Sequence, residues 1–205
     1  MSASCCSALQ HTVDPKYRRA LWIALVVNLS MFGAEIVASQ VSGSVSLLAD
    51  AIDFFGDAGN YGISLAVVGL SLATRAKAAL YKAACMGAFG VFVLGKAAWS
   101  LKTGVAPEAA TMGIIGVLAL SANLSVAFML YRFREGDANM RSVWICTRND
   151  AIGNVAVLLA AAGVFGSGSA WPDLLVAAAM AGLALIGAVT VLKHARRELR
   201  PAHAR

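Results

Sequence analysis

Apolar residues run through this chain in long stretches broken by short polar joints, without the alternation of strands and without the single polar face of a soluble helix. Scanning for runs of about 20 residues, the length that crosses roughly 30 Å of hydrocarbon, predicts six helical spans near 20–40, 46–72, 79–101, 110–131, 141–165 and 172–193. Turn signals fall between them: Ser42-Gly43-Ser44, Thr103-Gly104, Gly136-Asp137, and Gly166-Ser167-Gly168 ahead of Pro172. The predicted architecture is all-α, a polytopic membrane protein of six transmembrane helices with short connections. It divides into an amino tail at 1–19, a transmembrane domain at 20–193 and a short basic tail at 194–205.

Composition agrees with this pattern. Hydrophobic residues make up 59% of the 205 positions and charged residues only 14%, outside the range of an ordinary soluble domain. The formal net charge of +6 is a matter of topology. Lys16, Arg18 and Arg19, then Arg75, Lys77 and Lys82, then Arg132, Arg134 and Arg141, then Lys193, Arg196, Arg197, Arg200 and Arg205 account for 14 of the 17 basic residues. They cluster at the amino tail, the second and fourth connections and the carboxyl tail. Cytoplasmic segments collect Lys and Arg, so both termini are expected in the cytoplasm, with the basic rim facing anionic lipid; no nucleic-acid partner is needed. A secretory signal is the competing reading of the first span, with Val37-Ala38-Ser39 as its cleavage site. The polar lead of 15 residues, and Asn28 and Glu35 within the apolar segment, argue against it.

Within two of these spans stand residues that a membrane tolerates only for a reason. Asp53 and Asp57 lie in LLADAIDFFGDAGNY; Cys146 and Asp150 lie in WICTRNDAIGNVAVLLA. Each pair is spaced i, i+4, which on a helix puts both side chains on one face, about 40° apart in projection and roughly 6 Å along the axis. Three carboxylates and one thiol make a four-ligand set suited to a divalent metal.

The surrounding motifs resemble the cation diffusion facilitator (cation efflux) family over about Leu21 to Leu199. SGSVSLLADAIDFFGD is similar to that family's SGSxALLADAxHxxxD signature; Cys146, Asp150, Ala151 and Gly153 to its HxxxDALGS segment; and WPDLLVAAAMAGLALIGAVTVLKHARREL to its sixth span. The resemblance implies a cation-efflux-type bundle that exports divalent transition metals from the cytoplasm, by exchange with protons, as a homodimer in the cell (inner) membrane. It implies a transport site of two residues on the second span and two on the fifth, here Asp53, Asp57, Cys146 and Asp150. Two departures stand out. Cys146 replaces the family's usual His, and the chain has the form of members without a cytoplasmic metal-binding domain after the sixth span.

The chemistry of this quartet fixes further expectations. Thiolate favours Zn2+ or Cd2+ over hard cations, with Co2+ or Ni2+ also accommodated; an oxygen-rich site less selective than the His form is the other reading. The metal is cargo, and no tightly bound cofactor is expected. Carboxylates gathered in a dry cavity disfavour one another's charged forms, and metal loading expels protons, which together give proton antiport. Asp50, Asn60, Arg148 and Asn154 are candidates for holding the ligands in place from behind or for passing protons to them. Asp50 lies one turn before Asp53, and Asn60 and Asn154 follow Asp57 and Asp150 by three and four residues. Arg148 sits about 200° from the metal-facing side of its helix, as a snorkelling or paired residue or as a fixed charge biasing access. Asn28 and Glu35, on adjacent parts of one face, are expected to pair within the bundle. Cys5, Cys6 and His11 are either a metal-capturing tail or solvated. The sequence holds no phosphate-binding loop, HExxH or nucleophile elbow, so no enzyme is expected. The remaining readings are a non-transporting membrane metal-binding or regulatory protein, and a proton-coupled carrier of another small cation.

Overall fold

The computed structural model describes residues 15–66, 72–135 and 138–198; within the helices, the side chains at 72–76, 78, 79, 82, 138–146, 149 and 194–198 are outside that description. Six α-helices follow one another: α1 Pro15–Ser42, α2 Val45–Ala66, α3 Leu72–Thr103, α4 Ala109–Tyr131, α5 Ala138–Ser167 and α6 Trp171–Glu198. No strand occurs among the described residues. The helices match the predicted spans in number and order but overrun most of them. The basic stretch LATRAKAALYK, expected as a loop, is the first part of α3, because Ala, Leu, Lys and Arg are strong helix formers and nothing there breaks the helix. α6 likewise continues to Glu198, into the segment expected as a tail.

Among the described residues, five helices contain a segment long and apolar enough to cross a membrane, and α2, described as far as Ala66, does not. The exception has a local cause: Asp50, Asp53 and Asp57 all fall within its 22 residues. The distribution of side chains inverts that of a soluble protein. Phe128 and Phe165 are 84% and 85% exposed, and Val91, Ile114, Leu159, Leu175 and Leu183 also face outward, while Asn28, Glu35, Asp50, Asp57, Asn123, Thr147, Asn154 and Asp173 are buried. An apolar exterior around a polar interior is what a hydrocarbon solvent selects. The chain is an integral membrane protein.

Packing divides the helices into two groups. α1 packs on α2, α4 on α5, α1 on α4 and α2 on α5, closing a four-helix ring; α3 packs chiefly on α6, and this pair lies against α2 and α5. Val45, Leu48, Ala49 and Ile52 of α2, Val93 of α3, and Leu174, Ala177 and Ala181 of α6 form the core of that seam. Tyr17, Leu21 and Ala24 of α1 meet Tyr61 of α2 and Val126 and Leu130 of α4 at one end of the ring. α1 therefore contributes core side chains along its length.

The α1–α2 connection is built by the SGS motif. Gly43 takes φ 73°, the left-handed conformation that ends a helix, and its N–H bonds the carbonyl of Ser39 at 3.0 Å. Ser44 then caps α2, its Oγ accepting the Leu47 N–H at 3.1 Å. A second cap comes from another helix. Asp173, in the first turn of α6, accepts from Ser44 Oγ at 2.6 Å, Val45 N at 2.8 Å and Ser46 N at 3.1 Å. One buried carboxylate thus satisfies the free N–H groups of α2, sits at the positive end of that helix and joins the ring to the α3–α6 pair.

Candidate metal centre

α2 and α5 are antiparallel neighbours, and their polar residues set the register between them. At one level Asn154 Nδ2 donates to both carboxylate oxygens of Asp50, at 2.9 and 2.7 Å. Three turns further along α2, Tyr61 Oη and Thr147 Oγ1 are 2.6 Å apart. Between these two ties lie Asp53 and Asp57 on α2 and Asp150 on α5; Cys146 falls one residue outside them, next to Thr147.

Asp53 and Asp150 both line one cavity of about 220 Å³ at the seam where α2 and α5 meet the α3–α6 pair. Ala49, Ile52, Leu183 and Ala184 supply apolar wall, and Met86 and Met180 complete the lining. Asp57 is buried one turn deeper and is not part of the wall. The Cys146 side chain lies outside the described residues. Among the described residues no group of three or more His, Cys, Asp or Glu is gathered closely enough to hold a metal. The structure therefore unites half of the expected quartet, one acid from each helix, in a space where a dehydrated ion fits.

Beside this cavity runs a buried polar chain through four helices. Asn123 of α4 donates to Asn154 Oδ1 at 2.8 Å, and Asn154 in turn donates to Asp50. Asp50 faces Glu35 of α1 closely enough for the two carboxylates to interact. Glu35 is fully buried, and neither of its oxygens has a hydrogen bond of ordinary geometry. Asp50 and Asn154 are bonded to one another and do not line the cavity shared by Asp53 and Asp150. Asn28 makes a different contact from the one expected, donating to the Ala24 carbonyl of its own helix at 2.8 Å. Arg148 is exposed on α5, and Asn60 is half-buried one turn beyond Asp57. Cys5, Cys6 and His11 lie outside the described residues.

Comparison with known proteins matches residues 21–200 to the cation efflux transmembrane domain. The chain belongs to the cation efflux family. Within this family it is similar to the metal cation efflux system protein CzcD of Cupriavidus metallidurans, 26% identical over 171 residues, covering 78% of this chain and 54% of that protein. The cation efflux system protein CzcD of Alcaligenes sp. matches with the same identity and coverage. The chain thus spans about half the length of these relatives. The family match takes in all of α2 and α5, so the acid-lined seam is part of the cation efflux domain itself.

Three features of this cation efflux bundle were not read from the sequence: the Asp173 cap, the Tyr61–Thr147 tie and the methionines of the cavity. The Asp173 cap had a legible signal, an acid in the first turn of one predicted helix and a Ser-rich start in another. The other two depend on how the helices are rotated against one another.

Proposed function

We propose that this chain exports divalent transition-metal cations from the cytoplasm, Zn2+ or Cd2+ first and Co2+ or Ni2+ less readily, in exchange for protons. The observation that carries the reading is the placement of Asp53 and Asp150, from two different helices, on one cavity within a chain of the cation efflux family. Asp57 and Cys146 complete the ligand set when the cation draws α2 and α5 together. The relatives named metal cation efflux proteins support the same direction of transport. In this proposal the chain works as a homodimer in the inner membrane, with both termini in the cytoplasm and residues 20–193 as the transporting domain.

Protons enter the scheme through the ligands themselves. Carboxylate and thiolate bind metal only when deprotonated, so loading releases protons and acid opposes loading. The facing acids Glu35 and Asp50 supply a second place for a proton, because a proton shared between two carboxylates needs no ionic partner. The boundary between the ring and the α3–α6 pair is where alternating access would act, opening the cavity to one side and then the other.

The test is flux in vesicles holding the purified protein. Cd2+ or Zn2+ movement should require a pH gradient, fall at least tenfold in Asp53→Asn and Asp150→Asn, and fall to background in the double variant. Flux that continues unchanged after the gradient is collapsed removes the antiport mechanism. Binding of metal without flux in any gradient would favour a non-transporting metal-binding or regulatory protein, a reading that draws on the two-carboxylate geometry of the described cavity.

A further inference from the structure

The two acids of the cavity share a local pattern. Asp53 is followed three residues later by Gly56, and Asp150 three residues later by Gly153. At i, i+3 each glycine lies on the same helical face as its acid. Each also faces a methionine from the other helix group. A Cβ at Gly56 would lie 3.6 Å from Cε and 3.7 Å from Sδ of Met86, and a Cβ at Gly153 would lie 4.0 Å from Cε of Met180. Met86 belongs to α3 and Met180 to α6, and both line the cavity with Asp53 and Asp150. The arrangement is repeated on both walls: an acid, a glycine one turn on, and the end of a methionine side chain in van der Waals reach of where a Cβ would stand.

We propose that Met86 and Met180 are selectivity residues of this cavity, thioethers that line it together with the two acids and bias it toward the softest divalent cation, Cd2+ over Zn2+ and Co2+. The inference rests on the reading that Asp53 and Asp150 hold a transported metal. A thioether is a soft, uncharged donor that discriminates in favour of soft ions. It also has no proton to lose. Its contribution is therefore the same at any pH, whereas that of carboxylate and thiolate fades as they protonate. The apolar wall formed by Ala49, Ile52 and Leu183 keeps water from competing with so weak a ligand. A long unbranched side chain can also swing its sulfur toward an ion without backbone movement.

The experiment measures Cd2+ and Zn2+ binding to the full chain in detergent by competition calorimetry, for the wild type and Met86→Leu/Met180→Leu, a swap that nearly conserves volume. The double variant should lose Cd2+ affinity several-fold, by the same factor in mildly acid and mildly alkaline buffer, while Zn2+ affinity holds. An unchanged ratio of Cd2+ to Zn2+ affinity overturns the inference and leaves the metal-site reading standing. A wild type that binds neither ion overturns both. Should the leucine variant not fold, cadmium X-ray absorption on a chain with its four cysteines replaced by Ser decides the matter. Sulfur in the Cd2+ shell then comes from methionine, and a shell of oxygen and nitrogen alone overturns the inference.

Discussion

Single polar side chains in this bundle are informative because each buried one has to find its partner within the protein rather than in hydrocarbon. Asn154 is the clearest case: it accepts from Asn123 and donates twice to Asp50, so one amide connects α2, α4 and α5. Asn154→Ala should destabilise the protein by about 1–2 kcal/mol, within the range of interhelical hydrogen bonds in membranes, seen as a lower midpoint of thermal unfolding in detergent. Asn154→Asp would place a further carboxylate against Asp50 and should lower that midpoint more than the alanine change. Asp53, Asp57, Asp150 and Asp50 were all legible as candidates because an acid within an apolar run is conspicuous in any sequence. Met86 and Met180 were not, since methionine in an apolar run is ordinary. Only the rotation of α3 and α6 against their neighbours gives these two their place beside the acids.

At the scale of whole helices, the α1–α2 turn and the start of α6 form one polar joint. Asp173→Ala removes the acceptor of three hydrogen bonds at the beginning of α2 and should cost about 2 kcal/mol, while Asp173→Asn should cost less because one amide oxygen still accepts. Unfolding midpoints of the two variants measure the difference. Because this joint crosses from the ring to the α3–α6 pair, metal flux should fall in Asp173→Ala even at temperatures where it stays folded. Gly43→Ala forces a Cβ into a left-handed turn at φ 73° and should cost about 1 kcal/mol by the same measurement. Helix existence and order were legible because each apolar run has the length of a span. Helix ends were not, because a hydropathy scan stops where Lys and Arg begin, whereas the α-helical backbone continues through them, as at the start of α3 and the end of α6.

Across the whole molecule, the separation of an apolar exterior from a polar interior governs what substitutions the chain tolerates. Leu118, half exposed near the middle of α4, faces outward, and Leu118→Lys should oppose membrane insertion by about 3 kcal/mol. The integrated fraction of glycosylation-tagged segments would report this directly. The division into a ring and a pair was not legible in the sequence. α1 and α4 are apolar nearly all round, and α5 spreads its polar residues over several faces of its first half, so periodicity does not show which face meets which neighbour; that is fixed by small residues and by the few polar ties between helices.

Among the described residues, α2 carries more acids than any other helix, Asp50, Asp53 and Asp57 within 22 residues. During synthesis it would therefore be a poor substrate for the insertion machinery if it arrived alone. The two-residue turn at Gly43-Ser44 brings it in folded back on α1, which packs against it closely and offers Glu35 to Asp50. Asn154, the other partner of Asp50, is 104 residues further along the chain and leaves the ribosome much later. The nascent protein should thus pass through a stage in which the first two helices enter the bilayer as one hairpin, with Asp50 already facing Glu35 but not yet bonded to α5. Ribosome-bound chains truncated between α2 and α5 would capture that stage, and removing α1 from them should leave α2 outside the membrane.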